Sequence, residues 1–338
     1  MKIISLFSGA GGLDIGFYKA GFQTIWANEF DSKIWDTFEH NFPNVYLEKK
    51  DIRKIHCSDI PNDIDGIIGG PPCQSFSEAG KGLGEKDSRG KLFFEYVRIL
   101  QDKNPKFFVA ENVSGILHNK HKQTRDKLIK EFNLLDYDVS FQLLNANDYD
   151  VPQDRKRVFF IGYRKDLNKK FNLPCPRHKK LLLKNVIWDL KDNAVETKHN
   201  KPLNGSCYLA NHEYMSGGFS PIYMSRNRVR SWNEPSFTIQ ASGRHAPIHP
   251  QAPKMEKVKK DVMKFVQGKE NMYRRLSVRE CARIQTFPDD YEFLYNNLYD
   301  GYKMVGNAVP INLSYIIAEQ IKQDLFTYKN LNDKKLEY

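Results

Sequence analysis

The residues with the clearest potential for chemistry are Pro71-Pro72-Cys73, which follow an apolar run at residues 66–69. The two prolines fix their own φ angles and favour extended backbone before them, so this turn is stiff. Such a run predicts a buried strand, and in an open parallel sheet ligands bind beyond the carboxyl ends of the strands. Cys73 is therefore placed where a nucleophile could act, although a lone cysteine is often a small buried hydrophobe.

Residues 7–12, Phe-Ser-Gly-Ala-Gly-Gly, form a second candidate site, because they follow a first apolar run and precede a helix-like stretch. Glycines there let the backbone approach a ligand closely, and the start of a helix offers free N–H groups. A dinucleotide fingerprint would need a third glycine where the chain has Asp14. Glu29, at the end of the next predicted strand, suits hydrogen bonding to ribose hydroxyls. The pattern favours a nucleoside cofactor, and a tight strand-to-helix turn is the alternative.

Both candidate sites depend on a sheet that brings strand ends together. The first 165 residues alternate short apolar runs with helix-like stretches, the pattern of a doubly wound α/β sheet. From about residue 170 to residue 290 the periodicity degrades, and Pro, Gly, Asn and His are frequent, which predicts a loop-rich second domain of small strands. We predict strands at residues 2–7, 24–28, 66–69, 106–111 and 158–162, and helices at residues 13–20, 93–101 and 311–325.

Positive charge is concentrated in the middle of the chain. The 338 residues carry a net charge of +11, and residues 176–290 alone hold 21 Lys and Arg against 11 Asp and Glu. A concentrated basic segment is the footprint of a phosphate-binding surface, as in proteins that bind nucleic acid. A well-solvated charged face is the alternative.

Cysteine usage and apolar runs limit the class of protein. The five cysteines, at positions 57, 73, 175, 207 and 281, include no CxxC pair, which argues against a disulfide framework and against a zinc site. The N-terminal apolar run is too short for a signal peptide, and no stretch of about 18 apolar residues predicts a membrane span. We therefore expect a cytoplasmic protein that binds no metal and no membrane.

Six motifs stand in order along the chain. They are residues 7–12, Gly70-Pro71-Pro72-Cys73-Gln74-Ser75, Glu111-Asn112-Val113, Gln153-Asp154-Arg155-Lys156-Arg157, Arg279-Glu280-Cys281-Ala282-Arg283-Ile284-Gln285 and Gly306-Asn307-Ala308-Val309-Pro310. The series resembles the cytosine-C5 DNA methyltransferase family over nearly the whole chain. Residues 224–230, Met-Ser-Arg-Asn-Arg-Val-Arg, look like the bacterial HaeIII-type enzymes, which modify GGCC. The resemblance implies a Rossmann-like methyltransferase sheet with a smaller target recognition domain.

The resemblance also assigns the reacting groups. Cytosine C5 is a poor nucleophile, and a thiolate that adds at C6 gives an enamine whose C5 can attack a methyl sulfonium. Cys73 would be that thiolate, and Glu111 would act at N3 and contact the exocyclic amine; a capping or ion-paired carboxylate is the alternative for Glu111. Arg155 and Arg157, two apart on an extended run, would share one strand face and hold O2 of the base and a flanking phosphate.

The cofactor implied by the resemblance is S-adenosylmethionine, with S-adenosylhomocysteine as product. The aromatic residue of the loop would stack on adenine, and the loop glycines would pass close to the methionine part. Glu29 would bind the ribose, Asp51 the adenine amine, and Asn307 would close the pocket from the C-terminal segment. The full candidate set is Phe7, Gly9, Gly11, Gly12, Glu29, Asp51, Pro71 and Asn307.

Double-stranded DNA is the implied substrate, so the target base must leave the helix. Residues 77–89, with three glycines and three basic residues, are predicted to close over the flipped base as a lid. Arg226, Arg228 and Arg244 are expected to read guanines in the major groove, in a site such as GGCC. We expect a monomer, and a cognate restriction endonuclease could accompany it without obligatory contact.

A chain of 338 residues exceeds a typical single core, so more than one domain is expected. We assign residues 1–185 to a catalytic and cofactor-binding domain and residues 186–298 to a target recognition domain. Residues 299–326 are expected to return to the catalytic domain.

Some positions depart from the family pattern. Lys50, Asp150 and Thr286 stand where the family usually has glycine, and a non-glycine forced to positive φ costs about 1–2 kcal/mol. The run after Arg244 also differs from that of HaeIII-type enzymes, which leaves the recognition sequence open.

Two other functions compete with DNA methylation. A tRNA cytosine-C5 methyltransferase shares the catalytic motifs, but its Cys-Phe-Thr signature is absent from this sequence. A non-catalytic DNA-binding relative is the second, and the intact Cys73, Glu111 and motif arginines argue against it.

Overall fold

The computed structural model of this protein describes residues 1–72, 92–177, 179–203 and 207–333, and the side chains of residue 120 and residues 327–333 are not among the described parts. Cys73 and residues 77–89 lie outside the described residues, so their assignments stay predictions. The main strands of the described chain are β1 Lys2–Leu6, β2 Gln23–Asn28, β3 Tyr46–Glu48, β4 Gly66–Gly69, β5 Phe107–Val113, β6 Tyr137–Asn145 and β7 Lys156–Arg164.

These strands form one mixed sheet in the order β3-β2-β1-β4-β5-β7-β6. Neighbours pair in parallel from β3 to β5, while β7 runs antiparallel to both β5 and β6. Helices alternate with the strands, as the sequence predicts for an α/β fold. The helices of the described residues are α1 Gly12–Lys19, α2 Ser32–Asn41, α3 Leu92–Lys103, α4 Lys122–Leu134, α5 Leu183–Ile187, α6 Val278–Ile284, α7 Leu298–Asn307 and α8 Ile311–Asp333.

The centre of β5 builds apolar layers on both sides of the sheet. Successive side chains of a strand point to opposite faces, so Phe107 and Phe108 enter different layers. The ring of Phe107 lies 6.3 Å from that of Phe17, in the layer that holds α1 and α8. The ring of Phe108 stacks on Phe132 of α4 at 4.5 Å. Each such buried ring contributes about 1.5–3 kcal/mol, so β5 is fixed firmly with its carboxyl end at the sheet edge.

The predicted elements of the first 165 residues are confirmed, with ends that shift by a few residues. The run at residues 66–69 is the buried strand β4, and the predicted C-terminal helix is α8. α8 packs on α1, where Ser314 Oγ donates to the carbonyl of Leu13 at 2.9 Å. The prediction did not include α2, β3, α4 and β6.

The part of the chain after β7 is loop-rich, as predicted. Its strands are short: β8 Val195–Thr197 pairs with β9 Glu213–Met215, and β10 Glu256–Lys259 pairs with β11 Val262–Lys264. An apolar cluster of this part also contains Ala10 and Ile34, so it packs directly against the start of the chain. The domain boundaries at residues 185 and 298 stay a prediction.

At two of the three positions where the family usually has glycine, the backbone has the positive φ that glycine favours. Asp150 has φ 55° and Thr286 has φ 63°, whereas Lys50 has no positive φ. The hydroxyl of Thr286 donates to the carbonyl of Gln285 at 2.7 Å and accepts from the backbone N–H of Asn312 at 3.0 Å. These bonds offset part of the strain, which is about 1–2 kcal/mol for such a residue.

Among the helices of the described residues, none has the length and apolar character that crossing a bilayer requires.

Candidate active site

Four strand ends meet at the carboxyl edge of the sheet. β1 lies between β2 and β4, β5 is next to β4, and these four strands are parallel. Residues 7–12, the glycine loop, therefore start at this edge. β2 ends there directly before Glu29, and β4 ends there at Gly69, two residues before Pro71. Glu111 lies near the same end of β5. This crevice is where open α/β sheets bind ligands.

The glycine loop is tied to the end of β2. Gly9 donates its backbone N–H to Glu29 Oε2 at 2.9 Å, and Asp31 donates its N–H to Glu29 Oε1 at 2.7 Å. Burial raises the pKa of Glu29, and these N–H groups oppose that rise. Each carboxylate oxygen keeps a lone pair, so Glu29 can accept further hydrogen bonds from a ligand.

The loop backbone is open on one side and closely packed on the other. Phe7 is half-buried with φ 54°, and a side chain at Gly9, φ 55°, would meet no atom within 4 Å. A Cβ at Gly11 would collide with the ring of Phe42, and a Cβ at Gly12 would collide with the carbonyl of Val309.

The polar groups of the loop also suit a ligand. Ser8 Oγ is buried and has no hydrogen-bond partner among the described residues. Free space beside Gly9, this unpaired hydroxyl and the carboxylate of Glu29 fit a nucleoside with ribose hydroxyls.

Asp51 follows β3 and caps a short 3-10 turn, Ile52–Lys54. Its Oδ1 accepts from the backbone N–H of Arg53 at 3.0 Å and from Arg53 Nε at 2.9 Å. The side-chain hydrogen bond from Arg53 is the main cause that lowers the pKa of Asp51. A ligand amine would therefore share this carboxylate with Arg53.

Glu111 is the buried carboxylate of this edge. Glu111 is 9% exposed, and Arg157 Nε on the neighbouring strand lies 2.9 Å from Glu111 Oε1. The register pairs Arg157 with Val113, two residues beyond Glu111, so both charged side chains extend from the same face of the sheet. Burial raises the pKa of Glu111, and the positive charges of Arg157 and Arg155 oppose that rise. Glu111 can therefore hold a proton at a pH at which an exposed glutamate is ionised.

The proline turn passes beside this carboxylate. A Cβ at Gly70 would lie 3.5 Å from Glu111 Oε2, and Pro71 directly after it is buried. The chain thus enters Pro71-Pro72 next to Glu111. Cys73 follows in the sequence, outside the described residues.

Arg155 lies in surroundings different from those of Arg157, although its positive charge still acts on Glu111, so the expectation that both arginines reach one site stays a prediction. Arg155 is 1% exposed and precedes β7. Its Nη1 donates to the carbonyl of Ile239 at 3.0 Å. Its Nη2 donates to the carbonyls of Gly306 and Ala308, at 2.9 Å each. Backbone carbonyls of distant segments therefore accept from both Nη groups of Arg155, whereas its buried Nε has no hydrogen-bond partner among the described residues.

Asn307 is the last residue of α7, and its side chain is exposed. The chain around it approaches the glycine loop, because the carbonyl of Val309 lies against Gly12. Asn307 is thus two positions before Val309, the residue that contacts the glycine loop named in the cofactor prediction.

The three predicted base-reading arginines have two kinds of surroundings. Arg226 and Arg244 are exposed, and Arg244 Nε lies 3.3 Å from the hydroxyl of Tyr299. Arg228 is 8% exposed, and its guanidinium donates to the carbonyls of Tyr223 and Ile222 at 2.8 and 3.1 Å. Arg228 therefore holds backbone in place, while Arg226 and Arg244 present charge to solvent.

These arginines are near one another in space. Burial lowers the pKa of His245, and the positive charges of Arg228, Arg226, Arg244 and Arg275 lower it further. Arg228 and Arg275 are buried, so the exposed guanidinium groups of Arg226 and Arg244 make up the basic surface around His245.

Tyr291 is a residue of this site that sequence reasoning missed. Its buried hydroxyl donates to the carbonyl of Ala10 in the glycine loop at 2.8 Å. The two residues are 281 positions apart, so no local pattern could indicate the contact.

The described residues contain no group of three or more His, Cys, Asp or Glu side chains that could hold a metal ion. The expectation that the protein binds no metal stays a prediction.

Comparison with known families matches residues 1–323 to the C-5 cytosine-specific DNA methylase family. The chain is similar to Type II methyltransferase M.FnuDI of Fusobacterium nucleatum, with 58% identity over 96% of this chain and 95% of that protein. It is also similar to Type II methyltransferase M.NgoPII of Neisseria gonorrhoeae, with 56% identity over 96% of both chains.

Solved structures show the same fold at lower identity. The DNMT2 of Spodoptera frugiperda, solved as a mutant, gives a TM-score of 0.69 at 20% identity and covers 96% of this chain and 99% of that one. The methyltransferase EhMeth of Entamoeba histolytica gives 0.70 at 15% identity, over 96% and 98%.

Proposed function

The chain belongs to the C-5 cytosine-specific DNA methylase family, and from that membership we propose that it is the modification enzyme of a Type II restriction–modification system. It is a DNA (cytosine-5-)-methyltransferase, an enzyme whose methyl donor in this family is S-adenosylmethionine. Relatives named Type II methyltransferases, at 53–58% identity over 96% of the chain, support the assignment to restriction–modification.

One observation carries the catalytic proposal: a buried glutamate and an arginine meet beside the proline turn. Glu111 and Arg157 are 2.9 Å apart, and the turn that leads to Cys73 passes next to Glu111. An acid and a nucleophile close together are what addition to a cytosine ring requires.

The proposed reaction begins with the thiolate of Cys73. Its sulfur bonds to C6, the electrons of the C5–C6 double bond move through C4 towards N3, and Glu111 gives its proton to N3. When bound, S-adenosylmethionine supplies a methyl group on a positively charged sulfur. C5 of the enamine would take that methyl group as the methyl–sulfur bond breaks, which leaves S-adenosylhomocysteine, and Glu111 would take back the N3 proton. Loss of the C5 proton to a base restores the double bond and releases Cys73.

The raised pKa of Glu111 suits this role. A carboxyl group that keeps its proton can donate to N3, whereas an ionised one cannot. Arg157 would hold Glu111 in place and contact O2 of the base. Arg155, in contrast, has its Nη donors on backbone carbonyls, so we propose no contact between Arg155 and the base.

The cofactor would lie along the glycine loop, where the space, the hydroxyl and the carboxylate described above fit it. Glu29 would accept from the ribose hydroxyls, and Asp51 from the adenine amine, which it would share with Arg53. Phe7, Gly9, Gly11, Gly12 and Pro71 would line the pocket, and Asn307 would close it.

Double-stranded DNA would lie on the basic surface around His245. Arg226 and Arg244 have exposed guanidinium groups, and arginine pairs bidentately with guanine in the major groove. A guanine-rich site, GGCC, is the recognition sequence that we propose. Residues 186–298 would be the target recognition domain, and residues 77–89 would close over the flipped base. The enzyme would act as a monomer in the cytoplasm, beside a cognate endonuclease that it need not contact.

Methylation of plasmid DNA with S-adenosylmethionine, read by bisulfite sequencing, tests the proposal. We expect protected cytosines within GGCC, and protection at another sequence would correct the recognition site alone. A transfer RNA tested in parallel should stay unmodified, and methylated tRNA without methylated DNA would favour the tRNA alternative.

The covalent step has its own test. Duplex DNA with 5-fluorocytosine at the target should form a stable adduct with the protein, because the fluorine at C5 cannot leave as a proton does. Cys73→Ala should form no adduct and should retain binding to the duplex. Methylation by Cys73→Ala, or absence of an adduct with the wild type, would contradict the nucleophile assignment.

A further inference from the structure

A buried polar network surrounds Arg155, and none of its side chains contacts the base in the reaction proposed above. Its members are Gln153, Arg155 and Gln285, which are 0%, 1% and 0% exposed. Buried polar groups persist in proteins when hydrogen bonds compensate the loss of water, so the partners of these three side chains indicate what the network holds.

Arg155 spans two parts of the chain with one guanidinium. One end donates to Ile239, which is 84 positions away, and the other donates to Gly306 and Ala308, more than 150 positions away. The guanidinium is a rigid planar fork, so it fixes these carbonyls relative to each other. A lysine could not do so, because its ammonium group is a single point of charge.

The two glutamines connect the same segments. Gln153 Nε2 donates to Gln285 Oε1 at 2.9 Å, and Gln153 Oε1 accepts from the backbone N–H of Ile239 at 2.8 Å. Gln285 Nε2 donates to the carbonyls of Val305 and Ala308, at 2.9 and 3.2 Å.

The network thus holds the main chain on both sides of Asn307. Gly306 before it packs against the backbone of Gln240 with no room for a side chain. Val309 after it packs against Gly12 of the glycine loop. The side chain of Asn307 itself is exposed, so its position is set by the backbone that carries it.

We propose that Arg155, with Gln153 and Gln285, is a positioning residue that fixes the backbone around Asn307 and thereby sets the Asn307 amide at the cofactor pocket. The proposal rests on the assignment of Asn307 to the S-adenosylmethionine site made above. Arg155 then acts on cofactor binding through Asn307, and it joins the pocket to the segment around Ile239 in the proposed target recognition domain.

A double-mutant cycle on cofactor affinity tests this link. The proteins are the wild type, Arg155→Lys, Asn307→Ala and the double variant, titrated calorimetrically with S-adenosylhomocysteine. Each single variant should bind about tenfold more weakly, a size common for coupling between protein sites. The double variant should bind no more weakly than the weaker single variant, because both changes disturb the same contact.

Arg275→Lys is the matched control. Arg275 is also buried, at 3% exposed, and donates to the carbonyls of Gly217 and Gly218 within the proposed target recognition domain. Its substitution should leave the dissociation constant of S-adenosylhomocysteine unchanged. An equal weakening by Arg275→Lys, or additive effects of Arg155→Lys and Asn307→Ala, would overturn the proposal.

A further variant covers the case in which Arg155→Lys does not fold. Gln285→Met keeps the side-chain volume and removes the donors to Val305 and Ala308, so it should repeat the non-additive result with Asn307→Ala. Normal cofactor binding by Gln285→Met would count against the network. If the wild type binds no S-adenosylhomocysteine, the assigned function fails; if it binds but the cycle is additive, this inference alone fails.

Discussion

At the scale of single residues, the protonation of Glu111 is set by opposing effects. Burial raises its pKa, while the nearby positive charges of Arg157 and Arg155 lower it. The balance leaves the pKa above that of an ordinary glutamate, which is the direction that donation to a ring nitrogen needs. Arg157 therefore has two effects on Glu111. It holds the carboxyl group of Glu111 in place, and its positive charge limits how far the pKa of Glu111 rises.

Arg157→Met should separate these effects. Loss of the positive charge should raise the pKa of Glu111 further, so the alkaline limb of the pH profile of kcat should move to higher pH. The value of kcat at pH 7 should fall about a hundredfold, the order that loss of one preorganised donor costs.

Arg164→Met is the control for that change, because Arg164 lies at the far end of β7 and pairs with Asp166. Its pH profile should match the wild type. An alkaline limb at lower pH in Arg157→Met would show that Glu111 acts in another protonation state.

At the scale of elements, the start of α1 buries a carboxyl group between the first two strands. Asp14 is 0% exposed and accepts from Ser5 Oγ at 3.0 Å and from Thr24 Oγ1 at 3.1 Å. Burial raises the pKa of Asp14 to about 6, and the two hydroxyls oppose that rise. Asp14, which stands where a dinucleotide fingerprint has its third glycine, thus holds α1 against β1 and β2.

The pH dependence of stability should report this group. The folded state holds the Asp14 proton up to about pH 6, whereas an unfolded chain releases it near 3.8, so the unfolding free energy should fall as pH rises through this window. The fall should amount to about 3 kcal/mol, since one pKa unit corresponds to about 1.4 kcal/mol. Asp14→Asn should remove this contribution, so its unfolding free energy should fall by about 3 kcal/mol less than that of the wild type, as measured by denaturant unfolding from pH 4 to pH 7.

Asp59→Asn, at an exposed position, should retain the wild-type fall. If Asp14→Asn retains it as well, the titrating group lies elsewhere.

At the scale of the whole molecule, charge is segregated from the sheet. The excess positive charge lies in residues 176–290, and the basic surface around His245 belongs to this segment. The carboxyl edge of the sheet instead pairs its charges internally, as in Glu111 with Arg157. This arrangement suits a protein that attracts DNA with one part and performs chemistry with another.

Substitution of the exposed arginines should weaken DNA binding according to their contacts. If Arg226 and Arg244 read bases, Arg226→Gln and Arg244→Gln should each weaken binding to a GGCC duplex by about 1–3 kcal/mol. The affinity of each variant for other duplexes should then change little. Fluorescence anisotropy at several salt concentrations measures both effects. An equal loss of affinity for all duplexes, with the slope of log K against log salt reduced by about 0.9, would show that these arginines contact phosphates instead.

Lys19→Gln is the matched surface control. Lys19 ends α1, which runs away from the carboxyl edge, so its loss should leave DNA affinity unchanged.

The sequence by itself determined the features that depend on neighbouring residues. The apolar runs of β1 and β4, the glycine loop and the proline turn are local patterns, so their elements and their common edge could be predicted. The motif order also determined the family. β6 was not predicted, because it is an edge strand with a mixture of buried and exposed side chains. β3 was not predicted either, because it is only three residues long.

The tertiary structure alone decided which charged side chains reach the site. Arg155 and Arg157 look equivalent in sequence, yet Arg155 turns to carbonyls 84 to 153 positions away, while Arg157 pairs with Glu111. Arg226 and Arg228 look equivalent too, but Arg228 is buried on backbone carbonyls. A buried guanidinium is stabilised by the carbonyls that accept from its Nη groups, and these acceptors come from segments that only the folded chain brings together.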